Sequence, residues 1–431
     1  MKSAEAEIID LSHDGRGVAR IDGKAVFIAD ALPGEKVRFR YIKQTRKFDE
    51  GQTEEVIEAS PHRIDPGCVH FGVCGGCTLQ HFDAEQQILA KQKVLADNFT
   101  RLGGVEPSEW ADPMMGPIWG YRRRARLSVR YVAAKKRAFV GFRERNGRFV
   151  ADLSHCPVMV DFGFTLKDLA NLISSFDAAR RVPQIELTEG DDCNAMVVRQ
   201  MGSFSEADYQ RLRDFSDTYG IVIYLQPDGV DSLQLLTDFK QLHTSISEYN
   251  VDYQFEPLDF VQVNQKINEK MIAQAIRWLE PEENDRVLDL FCGLGNFTLP
   301  VSRFVKEVVG VEGDDGLVAR ANQNVERNKI SNARFYKADL RKDHMSSAWA
   351  KGGFNKLILD PPRSGAVEVL PLIAQFAPEK IVYISCHPGS LARDSGILVE
   401  KYGYRLVKAG VMDMFPQTGH VESMAVFVRG D

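Results

Sequence analysis

Arg286-Val-Leu-Asp-Leu-Phe-Cys-Gly-Leu-Gly-Asn-Phe-Thr298 (RVLDLFCGLGNFT) is an apolar run of strand length that breaks into a glycine turn and then into a helical pattern. A strand, glycine turn and helix in that order open a parallel, doubly wound unit. The same rhythm continues downstream. EVVGVE (307–312), ARFYKAD (333–339), KLILD (356–360), KIVYISC (380–386), YRLVKAG (404–410) and SMAVFVRG (423–430) alternate with helical stretches. Residues 256–431 are therefore predicted to form an α/β, Rossmann-like domain.

The loop Asp289-Leu-Phe-Cys-Gly293-Leu-Gly295-Asn296-Phe-Thr298 lets a ligand approach the backbone closely. It lacks the third glycine of the dinucleotide fingerprint and the Lys-Ser/Thr pair of a phosphate loop. Glu312 ends the second strand, where a carboxylate can take two ribose hydroxyls. Asp339 ends the third, within reach of an adenine amine. A nucleoside site without a pyrophosphate cradle points to S-adenosylmethionine. The fourth strand ends Asp360-Pro361-Pro362-Arg363, and Arg363 stands where methylases of exocyclic amines carry an aromatic residue, which argues against that chemistry.

Ligands in open α/β sheets sit beyond the carboxyl ends of the parallel strands. The fifth strand delivers Cys386 to that edge. If the last strand runs antiparallel beside it, Glu422 arrives at the same place. A thiol and a carboxylate beside a methyl-donor loop suit methylation at C5 of uracil. That carbon is a poor nucleophile until a thiolate adds at C6, and a base must afterwards remove the C5 proton. Cys386 is the expected nucleophile and Glu422 the expected base, acting on a base flipped from its stack.

Working toward the N-terminus, residues 61–255 mix strands and helices and are predicted to be an α+β central domain. A helix over about 84–102 is expected to pack on the catalytic domain despite its early position. Residues 1–60 alternate short β runs with Gly15, Gly17, Gly23 and Pro33-Gly34, the pattern of a small five-stranded barrel of the OB-like kind. The net charge of −6 conceals a window, Tyr121–Val150, with eleven Lys or Arg and one acid, Glu144. That +10 leaves −16 for the rest and predicts a nucleic-acid partner. Arg122, Arg123 and Arg124 are expected to grip phosphate, and Tyr121, Tyr131, Phe139, Phe142 and Phe149 to be available for base stacking.

With 44% hydrophobic and 26% charged residues, disordered and fibrous classes are excluded. The sequence opens without a basic region followed by an apolar run, and no apolar stretch is long enough to span a bilayer, so a cytoplasmic protein is expected, with no membrane or obligate protein partner indicated. Seven cysteines do not suggest a disulfide framework. Cys68, Cys74, Cys77 and the distant Cys156-Pro157 can hold zinc or an iron–sulfur cluster. They lack the paired CxxC knuckles of a zinc ribbon and are closer to ferredoxin-type spacing. Cys193 and Cys292 read as packed residues.

DLFCGLGNFTLP (289–300), LDPPRSG (359–365), SCHPGSLARD (385–394) and FPQTGHVESM (415–424) resemble the RNA uracil-C5 methyltransferase family. DGRGVAR (14–20) and LPGEKV (32–37) are similar to a TRAM domain, an RNA-binding barrel. The resemblance implies a class I methyltransferase domain with S-adenosylmethionine contacts at Gln262, Phe291, Asn296, Glu312, Asp339 and Asp360. It also implies a [4Fe-4S] cluster on Cys68, Cys74, Cys77 and Cys156, as in the family branch that acts on 23S rRNA. Two alternatives stay open: a tRNA uracil-C5 methylase, and a non-catalytic iron–sulfur RNA-binding or assembly factor. The sequence departs from its relatives at His387, where they commonly have Asn, and at Ser390, where they have Thr.

Overall fold

Five strands, Arg286–Leu290, Glu307–Glu312, Ala333–Lys337, Lys356–Leu359 and Lys380–Ser385, are parallel neighbours in one sheet of the computed structural model, which describes residues 2–342 and 347–430. Most are apolar on both faces, as a sheet covered by helices on each side requires. Across the sheet the order is 333–337, 307–312, 286–290, 356–359, 380–385, then Glu422–Arg429, Tyr404–Met412 and Glu109–Trp110. Strand order reverses between 286–290 and 356–359, so a crevice opens there, above the glycine loop and Asp360. Glu422–Arg429 runs antiparallel to Lys380–Ser385, with Ser385 opposite Ser423 as the last pair.

Elements from both ends of segment 61–255 pack on the catalytic domain, the early helix as expected. Helix Ala84–Asn98, capped by the Asp83 carboxylate on the Glu85 and Gln86 amides, continues through a wider turn, Phe99–Gly103. It packs against helix Pro388–Glu400 of the catalytic domain. A Cβ on Gly103 would stand 2.5 Å from the Ala392 carbonyl oxygen, so only glycine permits this approach. The following strand, Glu109–Trp110, joins the edge of the catalytic sheet beside Lys408 and Ala409. Hairpin Leu242–Ile246/Val251–Phe255 likewise packs its Ile246, Val251 and Tyr253 with Met271, Val287 and Phe297. Amphipathic spacing reveals that an element has a buried face but not what covers it.

What remains of the middle segment is a second sheet, ordered 234–235, 222–226, 194–199, 184–189, 124–132, 137–141. Helices Leu166–Ser174 and Glu206–Tyr219 belong to it, each begun by a capping box (Thr165 with Asp168, Ser205 with Asp208).

The N-terminal sheet has six strands, not five. It runs Ser3–Glu7, Lys36–Gln44, Phe48–Glu58, Lys24–Ala29, Gly17–Ile21, Asp10–Leu11 in spatial order. Its two edge strands are successive pieces of one segment, 3–11, parted only by Ile8 and Ile9. Arg145 reaches from the central domain to pair with Asp30 of this sheet and stacks on Phe71. Among the described residues no helix is long and apolar enough to cross a membrane.

Candidate active site

The glycine loop turns sharply where the strand ends. Phe291 has φ 64°, a left-handed conformation that costs a non-glycine residue about 1–3 kcal/mol and that clusters at ligand sites. Gly295 follows at φ 90°, its Cα against Phe335. The space in front of Gly293 is open: a Cβ there would meet nothing within 4 Å. Glu312 holds the loop from the neighbouring strand. One carboxylate oxygen accepts the Gly293 amide at 3.0 Å, and the other accepts those of Gly313 (2.6 Å) and Asp314 (3.0 Å). Beneath the loop Asp289 is buried and bound to the Thr298 hydroxyl, and its carboxyl is pushed up to about 7 by burial.

A cavity of about 940 Å³ runs from this loop to the Cys-rich segment. On its wall stand Gln262, Phe291, Asn296, Glu312 and Asp360, then Cys386 and Glu422, then Cys68, Cys74, Cys77 and Cys156. Residues spread over more than three hundred and fifty positions thus share one space. Asp339 does not line it. Its carboxylate accepts bonds from the Arg341 guanidinium at 2.9 and 3.1 Å.

Cys386 and Glu422 flank the last strand pair, Ser385–Ser423, and so leave their strands side by side. Burial raises the Cys386 thiol to about 11 and the Glu422 carboxyl to about 8; the charge of Asp360 adds to both rises, and that of Glu422 adds to the rise of Cys386. Arg363 opposes both shifts, and Lys91 opposes that of Glu422. Arg363 also meets His420 at 3.3 Å. The departure at His387 has a structural consequence: its Nδ1 accepts the Ser390 amide at 3.1 Å and caps helix Pro388–Glu400, the job an Asn performs equally well.

Two participants escaped the sequence reading. Asn268, on helix Gln265–Leu279, clasps Asn296 amide to amide, at 3.0 and 2.9 Å in the two directions, and lines the cavity. Lys91, on helix Ala84–Asn98, is buried against Asp413 at 2.7 Å and the Phe415 carbonyl at 3.0 Å, next to the strand pair that carries Glu422. No local motif marks either residue, because each works through a partner distant in sequence.

The arginine cluster differs from expectation. Arg123 is 2% exposed and donates to the Glu189 carbonyl, Thr244 and Gln265. Arg124 bonds the Leu258 and Asp259 carbonyls and pairs with Glu186. Both tie the central sheet to the segment entering the catalytic domain and are spent internally. Arg122 alone keeps a half-buried guanidinium on the cavity wall, its Nε without a partner. Tyr121 is buried too, with its hydroxyl on the Pro416 carbonyl.

The four cavity cysteines form a donor set suited to a thiophilic centre. Burial pushes Cys77 up to about 11 and Cys156 to about 12, and each feels the charge of its neighbours among the four. Backbone amides point at sulfur: Gly76 N lies 3.4 Å from Cys74 Sγ, and the Val158 and Met159 amides favour the Cys156 thiolate. Among the described residues no group of three or more His, Cys, Asp or Glu side chains is gathered closely enough to hold a single metal ion. Cys193 and Cys292 are buried in packed surroundings, as the sequence suggested.

A doubly wound sheet with a nucleoside-type glycine loop at its switch point, and with a thiol and a carboxylate at adjacent strand ends on the same edge, has the arrangement of a methyltransferase. The comparisons narrow this. The chain belongs to the RNA uracil-C5 methyltransferase family: the tRNA (Uracil-5-)-methyltransferase profile matches residues 206–429, and the TRAM domain profile matches residues 2–53. The 23S rRNA (uracil(1939)-C(5))-methyltransferase RlmD of Stenotrophomonas maltophilia (strain R551-3) is 54% identical over 430 residues, 99% of this chain and 97% of that protein. The protein of the same name from Xanthomonas axonopodis pv. citri (strain 306) is also 54% identical over the same shares. The crystal structure of Pyrococcus abyssi tRNA (uracil-54, C5)-methyltransferase with S-adenosyl-L-homocysteine superimposes with a TM-score of 0.74 at 23% identity, over 99% of this chain and 100% of that one, and shares the fold.

Proposed function

We propose that this protein methylates C5 of a uridine in 23S rRNA in the cytoplasm, through a covalent bond between Cys386 and C6 of the base. The observation that carries this reading is the side-by-side exit of Cys386 and Glu422 onto the wall of the cavity that holds the glycine loop. The relatives named above support 23S rRNA as the substrate, and the TRAM domain supports an RNA partner.

S-adenosylmethionine, when bound, supplies an electrophilic methyl group. Gln262, Phe291, Asn296, Glu312 and Asp360 are placed to hold it, Glu312 by taking ribose hydroxyls on the oxygens that already anchor the loop. Asn268 fixes the orientation of the Asn296 amide. Cys386, as thiolate, adds to C6 of the flipped uracil, and the electron pair moves through C5 toward O4. C5 then accepts the methyl group, and the electron pair of the broken methyl–sulfur bond stays on the donor's sulfur. Glu422 removes the C5 proton, the C5–C6 double bond re-forms, and the Cys386–C6 bond breaks. Arg363 beside both groups favours their ionised forms. A map of 5-methyluridine in rRNA and tRNA from cells lacking this protein should lose one or more rRNA sites. Loss confined to tRNA, or no loss anywhere, would overturn the reading.

The four cavity cysteines we assign to a [4Fe-4S] cluster, which when bound ties the Cys loop to the Cys156 segment. A lone zinc ion needs four sulfurs about 2.3 Å from one centre, whereas a cube carries each thiolate on a separate iron. Protein purified without oxygen should be brown and contain about four irons and four sulfides per chain. One zinc with no iron or sulfide would sink the assignment.

A further inference from the structure

Of the five aromatic residues in the basic window, Tyr121 is buried, while Tyr131, Phe139 and Phe142 are half-covered. Phe149 is different, with 55% of its surface exposed. It sits at the end of a short hairpin in which Arg143 bridges Val150 and the Glu144 amide bonds the Phe149 carbonyl at 2.9 Å. The hairpin is stitched to the Cys loop: the Gly75 amide bonds the Arg143 carbonyl at 2.8 Å, and the Arg145 amide bonds the Val73 carbonyl at 3.0 Å. Val73 is exposed as well, at 55%. Of the hairpin's own charges, the half-buried Glu144 carboxylate accepts from the Asn146 side-chain amide at 3.3 Å, and the three arginines divide into two sets. Arg145 is committed to Asp30, while Arg143 and Arg148 are exposed, with Arg148 5.2 Å from the centre of the Phe149 ring.

The stitching also locates the hairpin. Cys74, Gly75 and Phe142 line the catalytic cavity, so Phe149 and its two arginines stand outside that cavity on the adjoining surface. A ring held open to solvent on a braced hairpin exposes apolar area at a cost, since burying it would be favourable. Flanking guanidinium groups repel basic partners and attract phosphate. An exposed aromatic ring with one cation against it and a second on the same short hairpin is what a single-stranded nucleic acid binds, base on ring and phosphate on arginine.

We propose that Phe149, flanked by Arg143 and Arg148, is a stacking platform for an unpaired nucleotide of the substrate RNA that neighbours the target uridine. The platform lies outside the reaction chamber and holds the strand while the target base is flipped into it. This proposal rests on the RNA-methylating reading above.

The test uses the full chain, purified without oxygen, and a single-stranded 23S rRNA fragment spanning the methylated uridine, with 2-aminopurine replacing each purine in turn. The wild type should quench 2-aminopurine at one position flanking the target. Phe149→Ala should lower RNA affinity about tenfold and abolish that quench, while leaving the salt dependence of binding unchanged. Phe149→Trp should restore both. The double variant Arg143→Gln/Arg148→Gln should keep the quench but reduce the salt slope by about two, one for each phosphate contact. If Phe149→Ala binds within twofold of wild type with its quench intact, the platform is overturned and the patch is left to a protein partner. A wild type that binds tRNA but neither binds nor methylates the rRNA fragment overturns the functional reading, and the platform with it.

Discussion

Cys386→Ala should lose methylation by on the order of 10⁴-fold or more and form no covalent RNA adduct, because no other thiolate on the cavity wall near Glu422 can activate C5. Glu422→Gln should fail later. The thiol has added and the methyl group has moved, but the C5 proton stays, so elimination stalls. That variant should accumulate a methylated protein–RNA adduct with ordinary uridine, visible on denaturing gels. The wild type should show a stable adduct only with 5-fluorouridine RNA, where fluorine replaces the departing proton. The pH dependence has a defined sign. Glu422 works as a carboxylate and its carboxyl is raised to about 8, so its active form is lost as pH falls below that value. Wild-type turnover should therefore climb between about pH 6.5 and 8.5, with the Cys386 thiol adding to the same trend. An adduct in Cys386→Ala would reveal another nucleophile. Normal turnover by Glu422→Gln without trapping would remove Glu422 as the base.

Lys91→Met should destabilise the catalytic domain by about 3–5 kcal/mol, measured by urea unfolding of the full chain. Lys91 and Asp413 are 3% and 2% exposed, so removing the cation leaves a buried carboxylate with no counter-charge. The pair joins residues 322 positions apart and fastens the early helix beneath the strands that carry Glu422. Replacing both partners, Lys91→Met with Asp413→Leu, should recover most of the loss, since an apolar pair of similar volume has no desolvation to offset. A loss under about 1 kcal/mol in the single variant would mean that water reaches the site.

Much of the candidate site is legible from the sequence because its parts sit at strand ends. The alternation of strand and helix predicts a parallel sheet, and the carboxyl ends of parallel strands share one edge. Glu312, Asp360 and Cys386 follow from that rule alone, and Glu422 needs only the antiparallel turn of the last strand. The chemistry follows from residue type, since a thiol and a carboxylate beside a nucleoside loop serve few reactions.

Other assignments depended on what lies across space. A run of three arginines reads as a phosphate grip, yet Arg123 and Arg124 are consumed by carbonyls and carboxylates from residues 186–265, invisible to a local count of charge. Asp339 lies two residues past the end of strand 333–337, and its pairing with Arg341 is seen only in the folded chain. The helix at 84–98 shows its secondary structure locally and is expected to pack on the catalytic domain, while the contacts that hold it, Gly103 against Ala392 and Lys91 against Asp413, and the strand at 109–110 on the edge of strand 404–412 appear only in the folded chain. Periodicity records which face of an element is buried; only the folded chain decides what buries it. That is why the class of chemistry was set by the order of residues along the chain. The union of glycine loop, nucleophile and four cysteines around one cavity was set by tertiary packing.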